Sequence, residues 1–265
     1  MSHKLRASCA ATVVMILVSG IAVANSEVVQ TIPVFFDCSC ERSTTIYLLQ
    51  ASEQDVQFRA RIYTAAGISV AELTNVLPPH KYVPLEICPA FQGKPPAAIG
   101  GEGMAWGVVL VDILDDRDAA NAIQFWVPHN APRPSDKSIP AIAPGPQLAY
   151  PLTGWEHDGQ SHIGAFYRAT PGANDALIVG NISTEDITCK LQVFDWDGNE
   201  LLNRDILIAP MTAVRNKLTD LIPLEPSSSH QGALTLTVDT LHVDAIWCAL
   251  AHYFEDVYLD CEQLP

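Results

Sequence analysis

Two short polar segments of this sequence carry side chains that could bind a metal ion. Residues 195–200 (DWDGNE) begin like a calcium loop, in which alternate oxygen ligands surround the cation and a glycine allows the sharp turn. This spacing predicts Asp195, Asp197 and Asn199 as Ca²⁺ ligands, although Ile206 stands where a complete loop has its bidentate glutamate. A hairpin turn is the other interpretation, because Asp and Asn beside Gly are common turn residues.

The second segment, residues 156–162 (EHDGQSH), is the densest group of metal-capable side chains in the chain. Two imidazoles and a carboxylate could hold zinc or copper, so His157, Asp158 and His162 are candidate ligands of a transition metal. A solvated turn that precedes a strand explains the same residues without a metal. We expect no other cofactor.

Tryptophans in polar turns suggest a different chemistry, the stacking of a sugar ring on an indole. Trp155 and Trp196 lie in predicted turns and are the candidates, whereas Trp126 and Trp247 lie in predicted strands. These residues support an alternative function, that of a secreted protein that binds carbohydrate or a divalent metal.

The sequence singles out no catalytic residue. It contains no Gly-x-Ser-x-Gly elbow, phosphate loop or dinucleotide fingerprint. Its 30 acidic residues do not single out a facing pair of carboxylates. With 15 Lys and Arg residues the net charge is −15, which argues against nucleic acid or an anionic membrane as a partner. We therefore expect a protein that is not an enzyme.

A predicted signal peptide, residues 1–24, precedes the strands that must position these residues. Lys4 and Arg6 precede an apolar stretch over residues 10–23, and Ala22 and Ala24 are the small residues that a signal peptidase reads. That stretch is shorter than the roughly 20 residues of a membrane-spanning helix. The sequence predicts a secreted protein, periplasmic or extracellular, with no membrane span after cleavage.

An internal repeat is the most informative pattern. Residues 32–85 match residues 163–216 at a constant offset of 131, with apolar alternation and turn residues in register. Residues 56–63 and 187–194 alternate with period two and each run ends at a Gly-containing turn, as hairpin strands do. The rest of each unit matches at an offset near 123.

Short, regularly spaced strands without a long helix are typical of a β-sandwich. The repeat predicts an all-β chain of two tandem immunoglobulin-like antiparallel β-sandwich domains, residues 25–130 and 151–265. A Pro-rich linker over residues 131–150 joins them. In architecture the unit resembles the immunoglobulin-like modules of bacterial exported proteins, and this resemblance implies a scaffold and no particular activity.

Six cysteines remain after signal cleavage, and an even number in an exported chain predicts three disulfides. The repeat aligns Cys189 with Phe58 and Cys248 with Phe125. If the two units share a fold, Cys189 and Cys248 meet in the core of the second domain and form a bond between its sheets.

The pairing of the other four cysteines stays open. Cys38 or Cys40 with Cys88 would close the first domain, and the remaining one would reach Cys261. A thiolate clamp for a metal at Cys38 and Cys40 is the rival interpretation, because alternate residues of a strand lie on the same side.

Together these patterns favour an exported, non-catalytic structural or interaction protein of the cell envelope or of an extracellular assembly. Its expected partners are other exported proteins or copies of itself. Linked sandwiches offer edge strands for strand addition and sheet faces for head-to-tail packing.

Overall fold

The structure is a computed structural model that describes residues 27–38, 43–51, 53–101, 103–114, 123–126, 129–130, 155–157, 159–170, 173–222, 230–254 and 257–263. The prediction of an all-β chain with antiparallel sheets is confirmed, because every strand pair in this part of the chain is antiparallel. The predicted signal peptide, residues 1–24, and the predicted linker, residues 131–150, lie outside the described residues.

The first half of the chain, up to residue 130, forms two sheets. One has the strand order β1-β6-β3-β4 and the other β5-β2-β7, with β8 paired to β2. In chain order the strands are β1 (Val28–Asp37), β2 (Ser43–Gln50), β3 (Val56–Thr64), β4 (Ser69–Leu77), β5 (Tyr82–Glu86), β6 (Trp106–Leu114), β7 (Ile123–Trp126) and β8 (His129–Asn130).

The second half of the chain, from residue 155, also forms two layers. One has the order β13-β12-β15-β10, with β9 paired to β10, and the other β14-β11-β16-β17. In the described residues, backbone pairing between the two layers occurs at the tip of the β10–β11 hairpin. The strands are β9 (Trp155–His157), β10 (Gln160–Thr170), β11 (Ala173–Asn181), β12 (Ile187–Asp195), β13 (Glu200–Ile208), β14 (Ala213–Lys217), β15 (His230–Asp239), β16 (Ile246–Phe254) and β17 (Val257–Gln263).

Helical structure in the described residues is short. A single turn of α-helix, α1 (Leu218–Leu221), follows β14, and 3₁₀ helices span Cys88–Phe91, Pro96–Ile99 and Thr240–Ala245. No helix within the described ranges has the length and apolar character to cross a membrane.

Each half has its own apolar core between its two sheets, as the period-two alternation predicts. On β3 every second residue from Val56 to Ile62 is buried, and on β12 the same holds from Ile187 to Val193. The first core contains Phe58 and the second contains Cys189, which the repeat aligns with each other. Burial of these alternating side chains fixes the register of both strands.

The strand orders of the two halves correspond one to one. The first-half order β1-β6-β3-β4 matches β10-β15-β12-β13, and β5-β2-β7 matches β14-β11-β16. Even an irregularity recurs, because a bulge interrupts β3 between Ile62 and Tyr63 and interrupts β12 between Val193 and Phe194, 131 residues later. Gly67 and Gly198 follow these bulges, both with positive φ, in turns that favour glycine.

Candidate functional site

A buried apolar interface lies between the two halves of the molecule. The outer face of the β1-β6-β3-β4 sheet, the front face of the first half, packs on the outer face of the β14-β11-β16 sheet, the back face of the second half. The buried residues of this contact are Phe35, Ala65, Trp106, Val108 and Leu110 from the first half and Ala176, Ile178, Trp247, Ala249 and Ala251 from the second.

Aromatic rings form the centre of this interface. The ring centroid of Phe35 on β1 lies 6.4 Å from that of Trp106 on β6 and 6.1 Å from that of Trp247 on β16. All three side chains are buried. Tilted rings at this separation attract one another and bury a large apolar area, so they contribute much of the contact's stability.

An ion pair closes one side of the same interface. The Arg215 guanidinium on β14 donates a 3.2 Å hydrogen bond to the carboxylate of Asp37, at the end of β1, whose side chain is completely buried. The guanidinium also stacks over the Trp106 ring, with its central carbon 4.2 Å from the centroid. A charge pair that also stacks on an aromatic face fixes the relative orientation of the two sheets.

The turn after β3 adds a backbone contact between the halves. The Ala213 N–H donates to the Ala65 carbonyl at 2.9 Å. A Cβ added at Gly67, which follows in the same turn, would lie 2.9 Å from the carbonyl oxygen of Met211. The close approach of β14 to this turn therefore depends on glycine as well as on the apolar rings.

A second charged cluster lies on the same front face, away from the interface centre. The buried carboxylate of Asp112 on β6 accepts hydrogen bonds from Arg59 at 2.9 Å, from Arg61 at 2.8 and 2.9 Å, and from Thr31 at 2.8 Å. Burial alone would lower the pKa of Arg61, but the hydrogen bond and charge of Asp112 raise it overall. This cluster holds three strands together and leaves no oxygen of Asp112 open to a ligand.

The residues predicted as calcium ligands form a hairpin turn between β12 and β13. The carboxylate of Asp195 accepts 2.8 Å hydrogen bonds from both the backbone N–H and the side-chain amide of Asn199. The side-chain bond and then the backbone bond from Asn199 hold the pKa of Asp195 below its ordinary value. Among the described residues no three His, Cys, Asp or Glu side chains come together, and the Ca²⁺ site with Asp197 stays a prediction.

The predicted transition-metal residues lie where β9 turns into β10. His162 on β10 has its Nδ1 3.0 Å from the Thr237 hydroxyl oxygen on β15. The backbone register sets His157 opposite Gln160 and Trp155 opposite His162. Asp158 lies outside the described residues, so this site too stays a prediction.

The structure separates the two tryptophans proposed for sugar stacking. Trp196 is 75% exposed in the turn after β12. Trp155 is not in a turn but in β9, which corrects the sequence-based assignment. Residues 155–157 form a strand because they pair with residues 160–162 at the start of β10.

Four of the described cysteines form one bonded and one unbonded pair. A disulfide joins Cys38, at the end of β1, to Cys88, which is one of the two pairings that the sequence left open for Cys88. Cys189 and Cys248 are buried free thiols in one core, on opposite sheets. The bond predicted between them is not formed in this structure. Cys40 lies outside the described residues and Cys261 is on β17.

Sequence reasoning missed the interface between the halves, although one signal could have found it. In β6 all nine residues are buried, whereas a strand with one wet face alternates. The run from Val108 to Val111 is continuously apolar, which is typical of a strand covered on both faces. Trp247 lies on β16 with its ring in this interface rather than between the sheets of the second half.

No protein-family model matches this chain, and no curated protein is significantly similar to it. Solved structures of infectious bursal disease virus, strains Gx and Gt, align with it at 11% and 10% identity, each with a TM-score of 0.15. The alignments cover 85% and 88% of this chain, which spans only 63% and 65% of the length of those viral chains. Likenesses this weak carry no argument about fold or function.

Proposed function

We propose that this chain is an exported, non-catalytic interaction protein of the cell envelope or of an extracellular assembly. The observation that carries the proposal is that sheet faces serve as contact surfaces. One front face and one back face already pack together around Phe35, Trp106 and Trp247. The large aromatic side chains Phe166, Trp196 and Tyr82 are exposed elsewhere on the molecule, where they are available for further contacts.

The proposed architecture is a tandem repeat of one immunoglobulin-like β-sandwich, residues 25–130 and 151–265, with the linker between them. The matching strand orders, the bulges 131 residues apart and the two corresponding turn glycines support it. Two similar scaffolds in one chain offer two sets of sheet faces for contacts, and the fold itself implies no particular activity.

The proposed location is outside the cytoplasm. The N-terminal sequence supports it with the charged and apolar regions of a signal peptide before Asn25. The Cys38–Cys88 disulfide is compatible with an oxidising compartment, where such bonds persist.

The test is to express the full chain in its source cells, map its mature N-terminus and cross-link it in place. We expect an N-terminus at Asn25, a location outside the cytoplasm, and cross-links to exported proteins or to other copies. A chain that stays in the cytoplasm with its first 24 residues attached, or that cross-links to nothing, would overturn the proposal.

Carbohydrate binding is a second candidate, which the exposed Trp196 indole favours. A glycan array probed with the wild type and with Trp196→Ala tests it. Binding that the substitution abolishes supports a sugar platform, and a blank array removes the candidate. Trp247→Ala is not a suitable control, because that side chain is buried between the halves.

A further inference from the structure

The interface between the halves joins two different faces, and each half has both kinds of face. The front face of the first half contacts the back face of the second half. The front face of the second half, formed by the β10-β15-β12-β13 sheet, and the back face of the first half, formed by β5-β2-β7, are not part of this contact.

The front face of the second half exposes aromatic rings at the positions that are buried in the first half. Phe35 and Phe166 lie in the same register, since Phe35 pairs with Val108 on β6 and Phe166 with Ala233 on β15. Phe35 is 1% exposed, whereas Phe166 is 75% exposed.

The turn after the bulged strand repeats this contrast. Ala65 follows β3 and is 3% exposed because β14 covers it, whereas Trp196 follows β12 at the corresponding position and is 75% exposed. The neighbouring strands differ in the same way: β6 is buried on both faces, whereas on β15 the outward residues Ala233 and Thr235 are partly exposed and Thr237 is buried. The positions of Phe35 and Ala65, which are buried at the interface, are therefore exposed in the second half, where Phe166 and Trp196 occupy them.

The back face of the first half also exposes apolar side chains among the described residues. Tyr82 on β5 is 65% exposed and its ring lies 5.9 Å from that of Tyr47 on β2. Leu49 on the same face is exposed. In the second half, Gly180 pairs with Ala213 at the positions that correspond to Leu49 and Tyr82. Ala213 lies on the edge strand that contacts the turn after β3.

We propose that a second copy of this chain binds head to tail: the open front face of one copy, with Phe166 and Trp196, packs on the open back face of the next copy, with Tyr47 and Tyr82. The contact follows the same arrangement of sheets as the interface within the chain. The Trp196 carbonyl would accept from the Tyr82 N–H, as the Ala65 carbonyl accepts from Ala213. This inference rests on the proposed interaction function and names the partner.

A contact of this kind uses two different faces, so each bound copy still has one unoccupied face that can bind a further copy. Such a heterologous interface gives an open filament unless the rotation closes a ring. Pro84 occupies the position of Arg215, so the ion pair with Asp37 has no counterpart in the contact between copies. The rings of Phe166, Trp196 and Tyr82 are therefore the anchors of the contact, and since the chain is strongly acidic, with a net charge of −15 over the full sequence, added salt should strengthen the contact by screening repulsion.

The test uses residues 25–265, sedimentation velocity over a concentration series, and one substitution on each face. For the wild type we expect a sedimentation coefficient that rises with concentration beyond that of a dimer. Phe166→Asp and Tyr82→Asp should each lower the association constant by about tenfold or more, as loss of a central aromatic does. Leu241→Asp, on an exposed 3₁₀ residue outside both faces, should associate like the wild type.

An equimolar mixture of Phe166→Asp and Tyr82→Asp provides the decisive result. Each variant keeps the face that the other has lost, so the mixture should form dimers and stop there. A wild type that stays monomeric at all concentrations, a mixture that associates no more than either variant alone, or Phe166→Asp alone associating as strongly as the wild type would overturn the inference. Unchanged thermal unfolding of both variants shows that they fold. The proposed function would survive this failure if cross-linking in cells still finds an exported partner of another kind.

Discussion

The guanidinium of Arg215 stacks 4.2 Å above the ring of Trp106, and these two residues come from different halves of the chain. The same guanidinium reaches the buried carboxylate of Asp37. A single side chain thus connects the middle of β14 to both β1 and β6. The relative orientation of the two sandwiches is set by specific contacts as well as by the apolar cluster around Phe35.

Arg215→Ala should destabilise the chain by about 2 kcal/mol, because it leaves the buried Asp37 carboxylate without this charge partner. Urea denaturation measures the effect. Arg204→Ala removes an equal charge from an exposed position on β13 and should change the free energy of unfolding by less than about 0.5 kcal/mol. Equal effects of the two substitutions would mean that the ion pair does not hold the halves together.

The Cys38–Cys88 disulfide closes a loop over a sequence separation of 50 residues and joins the end of β1 to the 3₁₀ helix after β5. Replacing both residues by Ser should cost about 4 kcal/mol, since the bond restricts the unfolded chain. Urea denaturation of the double variant gives this value. The wild type under reducing conditions is the matched comparison, and a reduced wild type as stable as the oxidised one would contradict the expectation.

Glycines on β6 and β15 explain how the bulged strands approach their neighbours. A Cβ at Gly107 would overlap the carbonyl oxygen of Tyr63, and a Cβ at Gly232 would overlap that of Phe194. These contacts involve backbone atoms, which cannot rotate away as a side chain does. The two glycines therefore occupy corresponding positions for the same physical reason.

Gly232→Ala should lower the free energy of unfolding by about 3 kcal/mol or more, or prevent folding. Gly198→Ala is the control, because a Cβ there has open space and meets only the strain of a positive φ, worth about 1 kcal/mol. Far-UV circular dichroism and thermal unfolding measure both. A Gly232→Ala protein as stable as Gly198→Ala would show that β15 can move away from β12 at little cost.

The sequence alone predicts the strands, but it does not predict the contacts between the outer faces of the sheets. Alternation from Val56 to Ile62 specifies which side chains face the core, and the offset of 131 residues carries that pattern into β12. Which surface covers the outer face of a sheet depends on how sheets that are distant in the sequence pack together. The alternation within one strand contains no information about this packing. The alternation therefore predicts that Trp247 lies in a strand, but it does not predict the contact of its ring with Phe35 in the other half.

The candidate metal residues illustrate the same limit. Asp195 and Asn199 have the spacing of cation ligands, but the turn itself uses the carboxylate as an acceptor for Asn199. Residue types and spacing are shared by ligand loops and hairpin turns, and only the direction of the side chains separates them. Sequence spacing could name these residues but could not distinguish between the two roles.

Cys189 and Cys248 should make the reduced protein less stable in alkali. Burial raises the pKa of Cys189 from 9.0 to about 12, and burial together with the charge of Cys189 raises that of Cys248. The unfolded chain loses these protons above about pH 9 while the folded chain keeps them. Unfolding is therefore favoured as pH rises, by about 1.4 kcal/mol per pH unit for each thiol.

Urea denaturation between pH 8 and about pH 11, in the presence of reductant, measures this slope. Tyrosines also titrate in this range, so the contribution of the thiols is the difference between the wild type and Cys189→Ala/Cys248→Ala, which should lose less stability as pH rises. If oxidation forms the bond predicted from the repeat, the oxidised wild type should match the double variant in slope, and reductant should restore the difference. Identical slopes for the reduced wild type and the double variant would contradict the buried-thiol arrangement, because exposed thiols would titrate alike in the folded and unfolded chains.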